Sequence, residues 1–206
     1  MGATLRQLIS EYSMGNTNLE GFDISKENFI ELLSKYFNDK NSSTLREETM
    51  CYISGIESNP NKLGYDGKTT KDENKPKNFD TTNPKAKKLN GGGNYSDMTH
   101  KRDEKFKLDN PRIHIGGFVD GKLVYQFKIP YNSLGEHFKK QLNKRLPDGD
   151  IKNNYLRSMT FSLKTIQECK DVELEFLTED IEKYRGFITK TLYTYLNKLK
   201  KNGIKK

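Results

Sequence analysis

The feature that most constrains the fold of this chain is a β-hairpin pattern over residues 112–129. Apolar side chains fill both arms of the pattern, and Asp120-Gly121 lies between them. Asp-Gly favours the two-residue turn that joins neighbouring antiparallel strands. Strands that are apolar on both faces are typical of the centre of a sheet. The hairpin therefore predicts a sheet that is covered on both sides.

Helical patterns and further strands surround this hairpin. We expect helices over residues 4–13, 25–37 and 44–56, a fourth that starts at Asn132 or Ser133 and ends at Pro147, and a long final helix from Thr178. Residues 159–166 alternate apolar and polar side chains, as a half-buried strand does. We therefore predict a single α/β domain with a mixed central β-sheet flanked by helices, in which residues 1–60 form a helical N-terminal part and residues 61–206 form the core.

Charge is unevenly distributed along the 206 residues, and the net charge is +8. Acidic side chains outnumber basic ones in residues 1–60, whereas basic side chains outnumber acidic ones in residues 61–107. A concentration of positive charge favours a polyanionic partner such as nucleic acid.

Other classes of protein find little support in the composition. The two cysteines, Cys51 and Cys169, make no disulfide framework, and Cys51 lies in an apolar helical pattern that indicates a reduced core thiol. His100, His114 and His137 have no zinc-binding spacing, and His114 is expected to be a structural, hydrogen-bonded histidine. We see neither a membrane-spanning run nor a signal peptide, and we expect a cytoplasmic protein without an organic cofactor.

One cluster of charged residues can carry chemistry. Glu73 and Lys75 share one face if residues 73–77 form a strand. Asp66 precedes them at hairpin distance, and on a neighbouring strand joined by a tight connection it can reach the same place. Two carboxylates can hold Mg²⁺, and an adjacent ammonium can stabilise a hydroxide or a phosphate oxygen. The alternative is chance, because 31% of the chain is charged and other acid-x-lysine triplets occur in it.

Asp66, Glu73 and Lys75 match the motif of the PD-(D/E)XK nucleases, and residues 60–130 resemble small type II restriction endonucleases. The similar segments are Glu73-Asn-Lys-Pro-Lys-Asn78, Leu89-Asn-Gly-Gly-Gly-Asn-Tyr-Ser-Asp-Met-Thr99 and Gly117-Phe-Val-Asp-Gly-Lys-Leu123. Tyr65 stands where the motif has its proline.

The resemblance implies a Mg²⁺-dependent enzyme that hydrolyses double-stranded DNA at specific sequences. It makes Asp66 and Glu73 metal ligands, adds the backbone carbonyl of Asn74 as a further ligand, and gives Lys75 the task of activating water and stabilising the transition state. The family often adds an acid from an earlier helix, for which Glu47 and Glu48 are the candidates. Small enzymes of this kind cut palindromic sites, which implies a homodimer on DNA.

The polar segment 76–110 has two interpretations. It is either a flexible loop or a surface that contacts DNA through lysines, polar side chains and the amides of three consecutive glycines. The predicted DNA-binding residues are Lys77, Lys85, Lys87, Lys88, Asn90, Gly91, Gly92, Gly93, Asn94, Tyr95, Ser96, Thr99, Lys101 and Arg102.

Two other functions fit the same residues. The first is a nucleic-acid-binding protein without catalysis, which would use the basic middle and the lysine-rich tail. The second is a repair or structure-selective nuclease of the same superfamily. Metal-dependent nicking separates the first from a nuclease, and discrete DNA fragments separate the second from a restriction enzyme.

Overall fold

The computed structural model describes residues 43–59, 64–150 and 154–201, together with residues 7, 10, 11, 13 and 14 near the start of the chain. The helices are α1 (Ser43–Ile53), α2 (His100–Asp109), α3 (Gly135–Arg145), α4 (Leu163–Gln167) and α5 (Lys190–Lys201). The strands are β1 (Asp72–Phe79), β2 (Gly93–Met98), β3 (Arg112–Val119), β4 (Lys122–Pro130), β5 (Leu156–Phe161) and β6 (Glu173–Leu177). Short 3-10 helices span Tyr131–Leu134 and Ile181–Tyr184.

The central sheet is mixed and has the strand order β1-β3-β4-β6. Strand β1 runs parallel to β3, whereas β4 is antiparallel to both β3 and β6. The Asp120-Gly121 hairpin joins β3 to β4, and both turn residues have positive φ, 47° and 74°. Strand β1 lies at the edge, which suits Pro76, because a proline in a central strand would remove a ladder hydrogen bond.

A second, two-stranded sheet pairs β2 with β5 in antiparallel register. Gly93 opposes Phe161 in this register, and a Cβ atom at Gly93 would lie 2.5 Å from Cζ of that ring. The glycine is therefore required by close packing of the two strands. We call this pair of strands the β2–β5 ribbon.

The two faces of the central sheet differ in polarity. One face packs Ile113, Ile115 and Phe127 into an apolar core that also contains side chains of α2, α3, α5 and the ribbon. The other face meets α1, where Met50 packs against Phe118 and Leu123. Helices thus cover both sides, which confirms the predicted α/β class with a mixed central sheet.

Several local predictions are confirmed and others are wrong. The hairpin 112–129, the strand 73–77 and the helix from residue 44 all form, and residues 7, 10, 11 and 13 of the first predicted helix are helical. The predicted helix 25–37 lies outside the described residues. Segment 76–110 contains β2 and α2, so only its part around residues 80–92 is irregular.

The predicted strand 159–166 ends at Phe161, because Oγ of Ser162 accepts a hydrogen bond from the Thr165 N–H and begins α4. The long helix predicted from Thr178 is divided into a 3-10 turn and α5, and between them Ile188 forms a parallel bridge with Leu89. Strand β6 was not predicted. Within the described residues, no helix is long and apolar enough to cross a membrane.

Candidate active site

Strand β1 carries two of the three predicted catalytic residues on one face. The side-chain ammonium of Lys75 lies 2.8 Å from Oε2 of Glu73, and both side chains are largely buried. Asn74 points to the opposite face, where its side-chain amide donates to Sγ of Cys51 at 3.1 Å. This is the alternation expected of a strand, and it confirms the predicted placement of Glu73 and Lys75 on a common face.

Asp66 reaches the same place from an irregular segment. The prediction that it lies on a strand is wrong, because the segment has only an isolated antiparallel bridge between Ser58 and Gly67. The Asp66 N–H donates to the backbone carbonyl of Asp72 at 2.8 Å, and Oδ2 of Asp66 accepts from the Asn74 N–H at 2.5 Å. Asp66 therefore docks along the free edge of β1, beside the two catalytic candidates.

Burial and the charges of Glu73 and Lys75 both act on the Asp66 carboxyl. Burial raises the pKa of its carboxyl above the usual value, and the hydrogen bond from Asn74 opposes that effect. The negative charge of Glu73 raises this pKa further, and the ammonium of Lys75 lowers it. Two carboxylates and one ammonium leave this group of side chains with a net negative charge, which favours binding of a further cation.

The aromatic ring of Tyr95 packs against the side chain of Lys75. The ammonium of Lys75 lies 4.2 Å from the centroid of the Tyr95 ring, within the range of a cation–π interaction. Burial, followed by the charge of Glu73, holds the pKa of Tyr95 well above its usual value, so the ring stays neutral. Tyr95 belongs to β2, and thus the ribbon helps to fix the position of the lysine.

The donor set is suited to a hard divalent cation. Asp66 and Glu73 each use one oxygen in the bonds above, and their second oxygens accept no hydrogen bond from the described part of the chain. Among the described residues, no three His, Cys, Asp or Glu side chains converge as metal ligands. Two carboxylates fit Mg²⁺, which keeps several waters and commonly takes one or two carboxylates.

A second layer of contacts holds the segment that carries Asp66. The Tyr65 hydroxyl donates to Oδ2 of Asp109 at 2.6 Å, and Lys71 pairs with Oδ1 of the same carboxylate at 2.7 Å. Asp109 is the last residue of α2. No local sequence signal could have found these contacts, since the partners lie about 40 residues apart along the chain.

A buried polar network lies on the opposite face of the sheet, one residue away from Glu73. The two ring nitrogens of His114 lie 2.8 Å from oxygens of Asp72 and Glu175. Burial alone would lower the pKa of His114, but the hydrogen bonds to the two carboxylates outweigh it and raise the pKa. Ser54, the residue after the end of α1, donates to Glu175 at 3.1 Å. The histidine is therefore structural, as predicted, and its network joins three strands to the end of α1.

The predicted DNA-binding residues separate into exposed and buried groups. Lys77, Lys85, Lys87, Lys88, Asn90, Ser96, Lys101 and Arg102 are exposed, and Asn94 and Thr99 are partly buried. Gly91, Gly92, Gly93 and Tyr95 are buried. The buried four have packing roles within the protein, and Thr99 caps α2 by accepting from the Arg102 N–H at 3.1 Å. DNA contact at these positions stays a prediction.

The candidate additional acids lie in α1. Oε1 of Glu48 accepts a hydrogen bond from Ser58 at 2.7 Å, which anchors the helix to the segment before Asp66. Neither Glu47 nor Glu48 joins Asp66 and Glu73 in a metal-ligand cluster of the described residues. Cys51 and Cys169 are both reduced, and Cys51 is buried, as the sequence predicted.

No protein-family model matches this chain, and no curated protein is significantly similar to it.

Proposed function

We propose that this protein is a type II restriction endonuclease that hydrolyses double-stranded DNA with Mg²⁺. The observation that carries the proposal is the meeting of Asp66, Glu73 and Lys75 at the edge of the mixed sheet, with a 2.8 Å contact between Lys75 and Glu73. These are the residues of the PD-(D/E)XK motif, and they come together from separate segments. Glu73 is buried and Asp66 and Lys75 are partly buried, and charged groups held in this way are typical of functional sites because their burial costs stability.

Lys75 is the residue that acts on the phosphate in this proposal. Its ammonium is fixed between Glu73 and the Tyr95 ring, so little reorganisation is needed when negative charge builds on a phosphate oxygen. Asp66 and Glu73 would bind Mg²⁺, with the Asn74 carbonyl as a further ligand. When bound, Mg²⁺ would polarise the phosphate and lower the pKa of a water molecule.

Exposed lysines near the site favour a polyanionic substrate such as DNA. Lys77 is exposed on β1, two residues beyond Lys75, and Lys85, Lys87 and Lys88 are exposed on the segment that follows β1. These cations would bind phosphates of any sequence. We propose a cytoplasmic protein that acts as a homodimer, since two copies of one site are needed to cut both strands of a palindrome. Light scattering of the protein with and without a cut-site duplex tests the dimer.

Incubation with phage DNA and Mg²⁺, followed by sequencing of the ends, tests the function. We expect discrete fragments with a common end sequence, no cutting in EDTA, and no cutting by Lys75→Ala. DNA binding without Mg²⁺-dependent nicking would leave a non-catalytic binding protein. Cutting at random, or only at branched or damaged DNA, would favour a repair nuclease instead.

A further inference from the structure

The outer face of the β2–β5 ribbon is polar, uncharged and open. The register pairs Asn94 with Thr160 and Ser96 with Ser158, so these four side chains share one face of the ribbon. Ser96, Ser158 and Thr160 are exposed, and Asn94 is partly so. All four side chains can donate and accept hydrogen bonds, which is the chemistry that base edges require.

The inner face of the ribbon is fixed by packing. Tyr95, Met159 and Phe161 are buried in the apolar core, so the ribbon cannot rotate its polar face away. Gln141 of α3 covers the free edge of β5, donating to the Thr160 carbonyl at 2.6 Å and accepting from the Thr160 N–H at 3.2 Å. This pairing of a side chain with the edge backbone hinders strand addition at Thr160 and leaves the outer face of the ribbon accessible.

The ribbon borders a cleft that reaches strand β1, which carries Glu73 and Lys75 of the candidate active site. An open cleft of about 410 Å³ is lined by Asn94, Ser158 and Thr160 on the ribbon side and by Lys77 on the β1 side. Lys77 shares a face of β1 with Glu73 and Lys75, because residues two apart on a strand point the same way. A ligand that fills the cleft therefore extends toward the catalytic residues.

Positive charge borders this neutral face. Lys77 lines the cleft beside this face, and Arg102 is exposed and donates to the Ser96 carbonyl at 2.9 Å. Arg157 is exposed within β5, and Asp97 is the only acidic residue in the two strands. Cations around a field of neutral hydrogen-bonding groups are complementary to duplex DNA, whose phosphates flank the base edges of a groove.

We propose that the β2–β5 ribbon enters the major groove of double-stranded DNA and reads base edges with Asn94, Ser96, Ser158 and Thr160. Paired strands are about 4.8 Å apart, so a two-stranded ribbon fits a groove about 12 Å wide. The contribution of β5 could not be read from the sequence, where Ser158 and Thr160 lie more than sixty residues after Asn94. The choice of duplex DNA as the partner rests on the proposed function.

Selection from a random duplex library tests the ribbon. The full-length protein is incubated with the library in Ca²⁺ instead of Mg²⁺, and intact bound fragments are sequenced. Ser158→Ala and Thr160→Val are compared with wild type, and Thr194→Val on the exposed side of α5 is the matched control. Asn94→Ala is likewise matched by Asn143→Ala on α3. Thermal melts establish that each variant is folded.

We expect wild type and both controls to enrich the same short sequence. Each ribbon variant should lose preference at one or two base pairs, on the order of tenfold per position, while its affinity for random DNA changes less than about twofold. An unchanged motif in all three ribbon variants would overturn the proposal. So would the absence of any enriched sequence in wild type, or binding of RNA or protein in preference to duplex DNA.

The two proposals fail separately. An enriched motif that the ribbon variants alter, without cutting by wild type in Mg²⁺, would retain the ribbon and reject the nuclease. Specific cutting with a motif that the ribbon variants leave intact would do the reverse.

Discussion

Replacement of Lys75 by methionine removes one charge from the site and keeps most of the side-chain volume. The variant loses the 2.8 Å contact with Glu73 and the cation–π contact with Tyr95, whereas the methionine can still pack on the ring. Glu73 and Asp66 are then two neighbouring carboxylates without their cation. We expect cleavage to fall by at least about 10²–10³-fold, the usual effect of losing one group that stabilises transition-state charge.

The loss of stability can be sized from the burial of the pair. Removing one partner of a buried ion pair costs about 3–5 kcal/mol. The Lys75 and Glu73 side chains are 17% and 9% exposed, so we expect the lower part of this range or slightly less, about 2–3 kcal/mol. For a chain of this size, each kcal/mol lowers the melting temperature by about 2–4 °C. Saturating Mg²⁺ should recover much of the loss, because the metal replaces the missing cation.

The assay combines plasmid nicking with thermal melts in the presence and absence of Mg²⁺. Lys68→Met is the control, since Lys68 pairs with Glu57 in an ion pair whose partners are 51% and 57% exposed. Such a surface pair contributes at most about 1 kcal/mol, and its loss should leave cleavage unchanged. Near-normal cutting by folded Lys75→Met would refute the catalytic role, and equal stabilisation of variant and wild type by Mg²⁺ would place the metal elsewhere.

Three further predictions follow from the same geometry. Asp66→Asn should abolish Mg²⁺-supported cleavage. Its melting temperature without metal should be unchanged or slightly raised, because burial makes the Asp66 charge unfavourable and raises the pKa of its carboxyl. Equal Mg²⁺ affinity of variant and wild type in calorimetry would remove Asp66 from the site. Burial opposes ionisation of Asp72 and Glu175, but hydrogen bonds and charge from His114 lower both pKa values to about 2. The stability that the two carboxylates contribute is therefore complete above about pH 4.5 and is lost towards pH 2. The pKa of His114 is raised, so the stability that it contributes is complete below pH 6.5 and is lost as the pH rises through its folded-state pKa. Urea unfolding across pH should show both declines, and an alkaline decline of equal size in His114→Gln would contradict the assignment. Gly93→Ala should lower the free energy of unfolding by about 1–3 kcal/mol, because the new Cβ would overlap the Phe161 ring. Gly186→Ala, where the new Cβ meets open space, should be nearly neutral. Equal melting temperatures for the two variants would refute the packing argument.

Local patterns in the sequence determined the main elements of the fold. The Asp120-Gly121 turn forms with the expected register because its φ values suit the twist of the two strands it joins. The alternation of a strand sufficed to place Glu73 and Lys75 on one face and Asn74 on the other. These predictions succeed since each depends on residues close together in the chain.

Tertiary contacts decided the rest. Residues 93–98 become a strand only because β5 pairs with them from more than fifty residues away. Of the glycines that suggested contact with DNA, Gly92 and Gly93 lie against Phe161, and Gly91 lies against Leu163 and Leu192. Asp66 reaches the site through bonds to the backbone of β1, although its own segment has no regular structure. The ring of Tyr95 contacts the Lys75 ammonium because β2, paired with β5, packs beside the end of β1 that carries the site. Packing partners distant in sequence leave no periodic signal along the chain, so only the folded structure shows which side chains surround the catalytic pair.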